Sequence, residues 1–240
     1  MNLKSTGLLI MVMIMVGSCK KNNSLPTVKL NNQEIECSQN TCIVSNYNEQ
    51  GDLISTGKVR KENRKFRINK WRFIKPQYDS IVEYMDVDNR SYVNQFWIIN
   101  RHNDTLFEKS NFFEYNLKDS INVDQPARFQ FYLNSKFYNS SDVEVILPYD
   151  TDKLNDDFSN ISKIRTDTFP SLDNDGIPHP EIPEEVPTDR LVDFILTYET
   201  PGNKKIRGAL IEYYYNEDSI RIERRLYFDK SIYVKPIEEW

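Results

Sequence analysis

The chain has few of the residues that build reactive centres. Its 240 residues include two histidines, three cysteines and seven glycines, and two of the glycines, Gly7 and Gly17, fall within the first 18 residues. A phosphate cradle or dinucleotide turn is hard to assemble from the five that remain, and no Walker loop, His-Glu-x-x-His or Gly-x-Ser-x-Gly elbow occurs. The histidines sit in turn-like runs, Asn100-Arg101-His102-Asn103-Asp104 and Ile177-Pro178-His179-Pro180, and read as solvent-exposed turn residues. A Ser-His-Asp triad is defined in space, so a hydrolase working through His102 or His179 stands as the third and least favoured reading. Alanine is scarce and no long helical period appears, whereas Asn, Lys, Ile, Tyr and Phe are plentiful, which suits strands joined by Asn turns. The chain therefore reads as no enzyme, with no cofactor.

Only one apolar run is long, residues 7–16 (GLLIMVMIMV), preceded by Lys4. At about ten residues it is too short to span a bilayer and has the length of a signal-peptide core. The residues after it, Val16-Gly17-Ser18-Cys19, resemble the lipobox of bacterial lipoproteins. The resemblance implies removal of residues 1–18 and a lipid on Cys19, hence an outer-membrane location with its face left open. Each buried methylene adds about 0.8 kcal/mol, so two or three acyl chains anchor firmly. Residues 19–29 are polar, contain Pro26 and read as a tether.

With Cys19 lipidated, Cys37 and Cys42 remain as an even pair in an oxidising compartment. The Ser38-Gln39-Asn40-Thr41 turn between them predicts a hairpin clamped by a disulfide, worth about 2 kcal/mol for so short a loop. Strands are expected at 41–47, 54–60, 66–74, 80–85, 95–100 and 105–109, then at 127–133, 143–147, 191–198, 205–215, 219–228 and 231–234. Pro201-Gly202 is expected to close a hairpin between 191–198 and 205–215, and Asn216-Glu217-Asp218 the next one. Within residues 46–75, Asn48-Glu49-Gln50-Gly51, Ser55-Thr56-Gly57-Lys58 and Lys70-Trp71-Arg72-Phe73 resemble one degenerate MORN-like repeat. That resemblance implies β-hairpins and an interaction surface without catalysis.

The net charge of −5 is unevenly distributed. Nine cations (Lys58, Arg60, Lys61, Arg64, Lys65, Arg67, Lys70, Arg72 and Lys75) face the single acid Glu62 between residues 58 and 75. Lys58, Arg60, Lys65, Arg67, Lys70 and Arg72 form the candidate surface for an anionic partner, an envelope component or another envelope protein. An exported address argues against nucleic acid, and a merely solvated sheet edge is the plainer alternative. Acids gather in the C-terminal half, where Asp173-Asn174-Asp175-Gly176 resembles the core of a calcium loop but lacks the bidentate Glu. Asp173 and Asp175 are thus a weak calcium candidate beside the reading of a proline-punctuated solvent loop. Four triplets, Asp79-Ser80-Ile81, Asp104-Thr105-Leu106, Asp119-Ser120-Ile121 and Asp218-Ser219-Ile220, are similar to an O-glycosylation acceptor pattern. Each is equally what ends a turn and starts a strand.

Together these features predict a mainly β, lipid-anchored protein. An antiparallel MORN-like meander is expected over 30–90 and an antiparallel β-sandwich, with immunoglobulin-like as the finer expectation, over 92–240. The expected role is a non-catalytic binding or scaffold component. The alternative is a surface glycan-binding protein using Trp71, Trp97 and Tyr213 to Tyr215 as stacking platforms.

Overall fold

The computed structural model describes residues 27–30 and 32–236. Residues 1–18, Cys19 and most of the expected tether lie outside the described residues. The fold is mainly β and antiparallel, with no α-helix among the described residues. Seven strands, β1 (Thr27–Leu30), β2 (Gln33–Cys37), β3 (Thr41–Tyr47), β4 (Leu53–Arg60), β5 (Arg67–Ile74), β6 (Asp79–Val87) and β7 (Arg90–Ile99), form one sheet in sequence order. The expected tether thus ends early, in β1, and the first sheet runs past the boundary set at residue 90, because β7 pairs along the whole of β6.

Asparagine shapes the turns. At Asn48, Asn100 and Asn216 the same five-residue loop recurs. The Asn side-chain oxygen accepts the N–H groups two and four residues on, and its own N–H donates to the carbonyl four residues on. The fourth residue of each loop, Gly51, Asn103 or Ser219, takes the left-handed φ that closes it (+87°, +66° and +57°). Asp88 and Asn89, both at positive φ, make the tight turn whose twist suits the β6–β7 hairpin.

The meander buries Ile35, Cys42, Val44, Val59 and Trp71 as its own cluster, with Phe73 and Tyr84 packed against it. Cys37 and Cys42 face each other across β2 and β3 and are joined, with an S–S distance of 2.05 Å. Gly57 and Trp71, two residues of the repeat-like unit, pack on one another, and Trp71 Nε1 donates to the Lys58 carbonyl at 2.8 Å.

The remaining strands are β8 (Phe113–Asn116), β9 (Ser120–Asn122), β10 (Ala127–Leu133), β11 (Asp142–Pro148), β12 (Thr166–Pro170), β13 (Leu191–Leu196), β14 (Gly202–Tyr215) and β15 (Arg221–Lys235). They make a sandwich of a three-stranded sheet, β13-β10-β8, and a five-stranded sheet, β12-β11-β14-β15-β9, with β9 alone running parallel to its neighbour β15. Phe129, Phe131 and Leu133 point inward from β10 and meet Val143, Val145, Leu210, Leu226 and Phe228 of the facing sheet. Arg128, Gln130 and Tyr132 alternate outward, as a sheet buried on one face requires.

Several expectations are corrected. Pro201-Gly202 closes no hairpin: Val192 and Phe194 are drawn into the core beside Phe129 and Phe131, so β13 joins β10 while β14 crosses to the other sheet. The two expected strands at 219–228 and 231–234 are one continuous strand, β15, because β14 pairs with it through residue 234. Residues 105–109 form no strand; Thr105 makes a single bridge to Ile99 and Phe107–Lys109 is a 3₁₀ turn. The three-stranded sheet contains no sequential hairpin, unlike the C-F-G sheet of immunoglobulin domains, so the strand order departs from that finer expectation.

Asn94 fastens the meander to the sandwich. A register shift between Glu83 and Tyr84 leaves it as the extra residue of β7, fully buried. Its side chain accepts from Tyr227 N–H at 2.7 Å and donates to Tyr227 C=O at 2.9 Å and Glu83 Oε2 at 2.8 Å. Around it Met85, Val87 and Tyr92 pack on Ile146, Ile211, Tyr227 and the loop residues Leu154, Phe158 and Ile161. Arg207, 4% exposed, holds that loop by donating to the carbonyls of Leu154, Asn155 and Asp156.

Candidate interaction surface

The β4–β5 hairpin carries the densest charge on the chain. Its turn closes through Arg60 N–H to Phe66 C=O (3.0 Å) and Phe66 N–H to Asn63 C=O (2.9 Å), with the Phe66 ring buried beneath. The neighbouring disulfide hairpin fixes this turn. Lys61 N–H donates to the Asn40 carbonyl at 3.1 Å, and Lys61 Nζ reaches the Ser38 and Gln39 carbonyls at 3.4 and 3.5 Å.

The nine cations divide into two sets. Arg60 pairs with Asp86 and lies 4.0 Å over the Phe66 ring. Arg67 rests over Trp71, Phe73 and Tyr84, 4.7 to 5.4 Å from their centroids, and donates to the Tyr84 hydroxyl at 2.9 Å. Both therefore leave the expected anionic-partner surface, and the register explains Arg67. Between the pairs Thr56–Arg72 and Lys58–Ile68, three residues of β5 stand against one of β4, with Asn69 at φ +58°. The bulge folds Trp71 over Gly57 and lets the Arg67 guanidinium lie across the aromatic side, where the ring faces attract it.

Lys58, Lys61, Arg64, Lys65, Lys70, Arg72 and Lys75 are exposed. Lys70 Nζ sits 4.3 Å from the Trp97 centroid, and Arg72 Nε donates to Asp79 Oδ2 at 2.8 Å while half its side chain stays in solvent. Lys58, Arg64 and Lys65 form no ion pair with an acid among the described residues. The hairpin thus presents cations along one face and around its tip.

The other candidate residues are not brought together. Asp175 is committed locally: its Oδ1 accepts from Ile177 N–H at 2.8 Å and its Oδ2 contacts His179 Nε2 at 2.8 Å. Asp173 meets only the Thr188 hydroxyl, at 3.5 Å, and no group of three or more His, Cys, Asp or Glu suited to a metal occurs among the described residues. The two residues of the weak calcium candidate are thus not gathered with further ligands, and Asp175 holds His179 in a clasp. His179 is likewise no free turn histidine. With 17% of its side chain exposed, it is gripped between Asp175 and Glu181 Oε1 (3.3 Å). The hydrogen bond that its Nε2 makes to the Asp175 carboxylate is the main reason its pKa is raised, against a smaller opposing effect of burial. His102 is exposed, and among the described residues neither imidazole bonds a Ser, Thr or Cys side chain.

Of the acceptor-like triplets, only Ser219 is exposed, at the tip of the β14–β15 turn. Ser80 and Ser120 are half-buried within β6 and β9, and Thr105 is half-buried at its bridge to Ile99. The expected aromatic platforms are dispersed: Trp71 is 3% exposed, Trp97 lies between Phe112 and Lys70, and Tyr213 is capped by Arg221 at 3.9 Å. A hollow of about 480 Å³ opens between β9 and β10, lined in part by Lys118, Asn122, Arg128, Gln130 and Lys235, and no carboxylate, imidazole or thiol lines it.

Sequence reasoning also missed a buried carboxylate, Glu212, whose Oε1 accepts from Phe137 N–H (2.6 Å), Tyr138 N–H (2.9 Å) and Ser141 Oγ (2.7 Å). Its signal was an acid inside an otherwise apolar run, Ala209-Leu210-Ile211-Glu212-Tyr213. It fixes the β10–β11 loop, and Arg224 stands opposite it on β15, where burial holds the guanidinium below its usual value. No protein-family model matches the chain, and neither a curated protein nor a solved structure does.

Proposed function

We propose that this protein is a lipid-anchored component of the bacterial outer membrane, attached through Cys19, that works without catalysis as a binding or scaffold protein. Its partner is anionic and meets the exposed cations of the β4–β5 hairpin. The lipobox-like run carries the address. The observation that carries the role is the concentration of seven exposed cations on a single hairpin whose tip is pinned to a disulfide-closed turn. Rigid placement of like charges raises the field at the surface and steers an anionic partner to it. Two arms test the reading. Cys19→Ser should move the protein out of the membrane fraction; unchanged membrane retention removes the anchor. Replacing Lys58, Lys65, Lys70 and Arg72 with Ser should abolish in-cell crosslinks made from this hairpin, and an unaltered crosslinking pattern removes the partner surface.

A further inference from the structure

The outward face of the meander is aliphatic as well as basic. Register places Ile43, Lys58 and Ile68 in one row across β3, β4 and β5, and Thr56, Arg72, Ile81 and Trp97 in the next across β4 to β7. Ile54 follows the same alternation along β4. The opposite face holds the buried cluster of Val44, Val59 and Trp71, so Ile43 and Ile54 have no core to enter, while Ile68 and Ile81 are half-buried. Ile43 and Ile54 are 40% and 42% exposed. Trp97, closed over by Phe112 on one side and the Lys70 ammonium on the other, ends the face at β7.

Isoleucine stands in each of these rows, where a sheet face that had only to stay hydrated would carry Thr, Glu and Lys. The acids near it are mostly engaged. Asp79 pairs with Arg72, the Glu83 carboxylate accepts from Asn94 and Gln95, and at the far margin, on β2, Glu34 accepts from the Tyr47 hydroxyl and Glu36 stands across from Ile43. Inside that margin, across β4 and β5, the remaining charge is positive and interleaved with isoleucine. A hydrated polyanion answers the cations and leaves the isoleucines unmatched. An anionic lipid surface answers both, because phosphates meet the Lys and Arg heads while Ile side chains enter the boundary between head groups and acyl chains.

We infer that the face formed by Ile43, Ile54, Lys58, Lys70 and Arg72 lies against an anionic lipid surface. This rests on the proposed reading of the hairpin as the contact for an anionic partner, and gives that partner its chemistry. Each cation brought to such a surface strengthens binding about fivefold, and salt reverses the gain.

The test uses the full chain with vesicles of phosphatidylcholine alone or mixed with phosphatidylglycerol, and reads lysine acylation by mass spectrometry. Labelling of Lys58 and Lys70 should fall about tenfold on the phosphatidylglycerol vesicles and recover in high salt, while labelling of Lys153, exposed on the loop after β11 and outside this face, stays level. Ile43→Asn with Ile54→Asn should weaken that protection without altering retention on dextran sulfate. Equal labelling of Lys58 and Lys70 on both vesicles overturns the lipid inference. If dextran sulfate is then still retained by the wild type and lost by Lys58→Ser, Lys70→Ser and Arg72→Ser together, the broader anionic-partner reading survives alone. No dextran sulfate retention and no vesicle protection overturns both.

Discussion

A Cβ at Gly57 would stand 2.3 Å from Cγ and Cδ2 of Trp71, inside the indole itself. The constraint is one of space, since Gly57 is extended backbone and the ring lies flat on it so that Nε1 can reach the Lys58 carbonyl. Gly57→Ala therefore displaces the indole and with it the Arg67 guanidinium resting on the ring. Overpacking of this kind costs about 2 kcal/mol. Denaturant unfolding should show that loss, with a red-shifted Trp71 emission. Unchanged emission and midpoint would mean that the strand yields instead of the ring. The sequence carried this contact only as spacing: a glycine and a tryptophan 14 residues apart, in a pattern that resembles a repeat. Arg67 had no such signal. Its place among three rings depends on a two-residue bulge in β5, which strand periodicity does not reveal.

Among the elements, the disulfide hairpin acts on its neighbour. Cys37→Ser with Cys42→Ser should lower stability by about 2 kcal/mol on the chain-entropy account. Because Lys61 hangs on the carbonyls of residues 38 to 40, amide exchange should accelerate in the Lys61 to Phe66 turn as well as at Thr41; acceleration at Thr41 alone would separate the two hairpins. The loop carrying His179 acts through charge. The hydrogen bond from its imidazole to the Asp175 carboxylate raises the His179 pKa, so the clasp stabilises fully below the unfolded imidazole value of about 6.5 and fades as pH rises through the raised folded value. Glu181 is lowered, first by its own backbone N–H and then by His179, with Arg128 adding to it. Its contribution holds above the usual carboxylate range and is lost in acid. Proteolysis between residues 173 and 187 should therefore quicken from pH 6 to pH 8, and His179→Gln should remove that dependence. A pH-independent cleavage rate in the wild type would show that the clasp does not hold the loop.

Legibility at this scale followed burial. β3 and β10 were read with their full bounds because one face of each is buried and alternation is clean. β12, Thr-Asp-Thr-Phe-Pro, and the three residues of β9 carry no period of their own and are strands only because β11 and β15 offer free edges. The Pro201-Gly202 signal was a sound local turn, yet the core's demand for Val192 and Phe194 sent the flanking strands to different sheets.

For the whole molecule, the decisive joint is Asn94, whose side chain imitates a strand partner for Tyr227 by accepting its N–H and donating to its C=O. Nothing in the sequence separates this asparagine from those that form turns, because its role arises from a bulge in β7 meeting a strand some 130 residues away. Asn94→Ala would strand three buried polar groups: both backbone groups of Tyr227 and the Glu83 carboxylate, which keeps only Gln95. At about 1 to 3 kcal/mol for each unsatisfied group, relieved in part by water, the loss should be about 4 kcal/mol. It should fall mainly on the coupling between the units, since the β10, β11 and β15 core and the Trp71 cluster each keep their own contacts. Calorimetry should accordingly resolve two transitions in Asn94→Ala where the wild type gives one. Hydrogen exchange should rise first at β6 and at the Asp88-Asn89 turn that leans on Asp157, with the amides of β10 still protected. A uniform rise across both units would instead make the meander and the sandwich one cooperative body, with the basic face held rigidly to the sandwich whatever becomes of this joint.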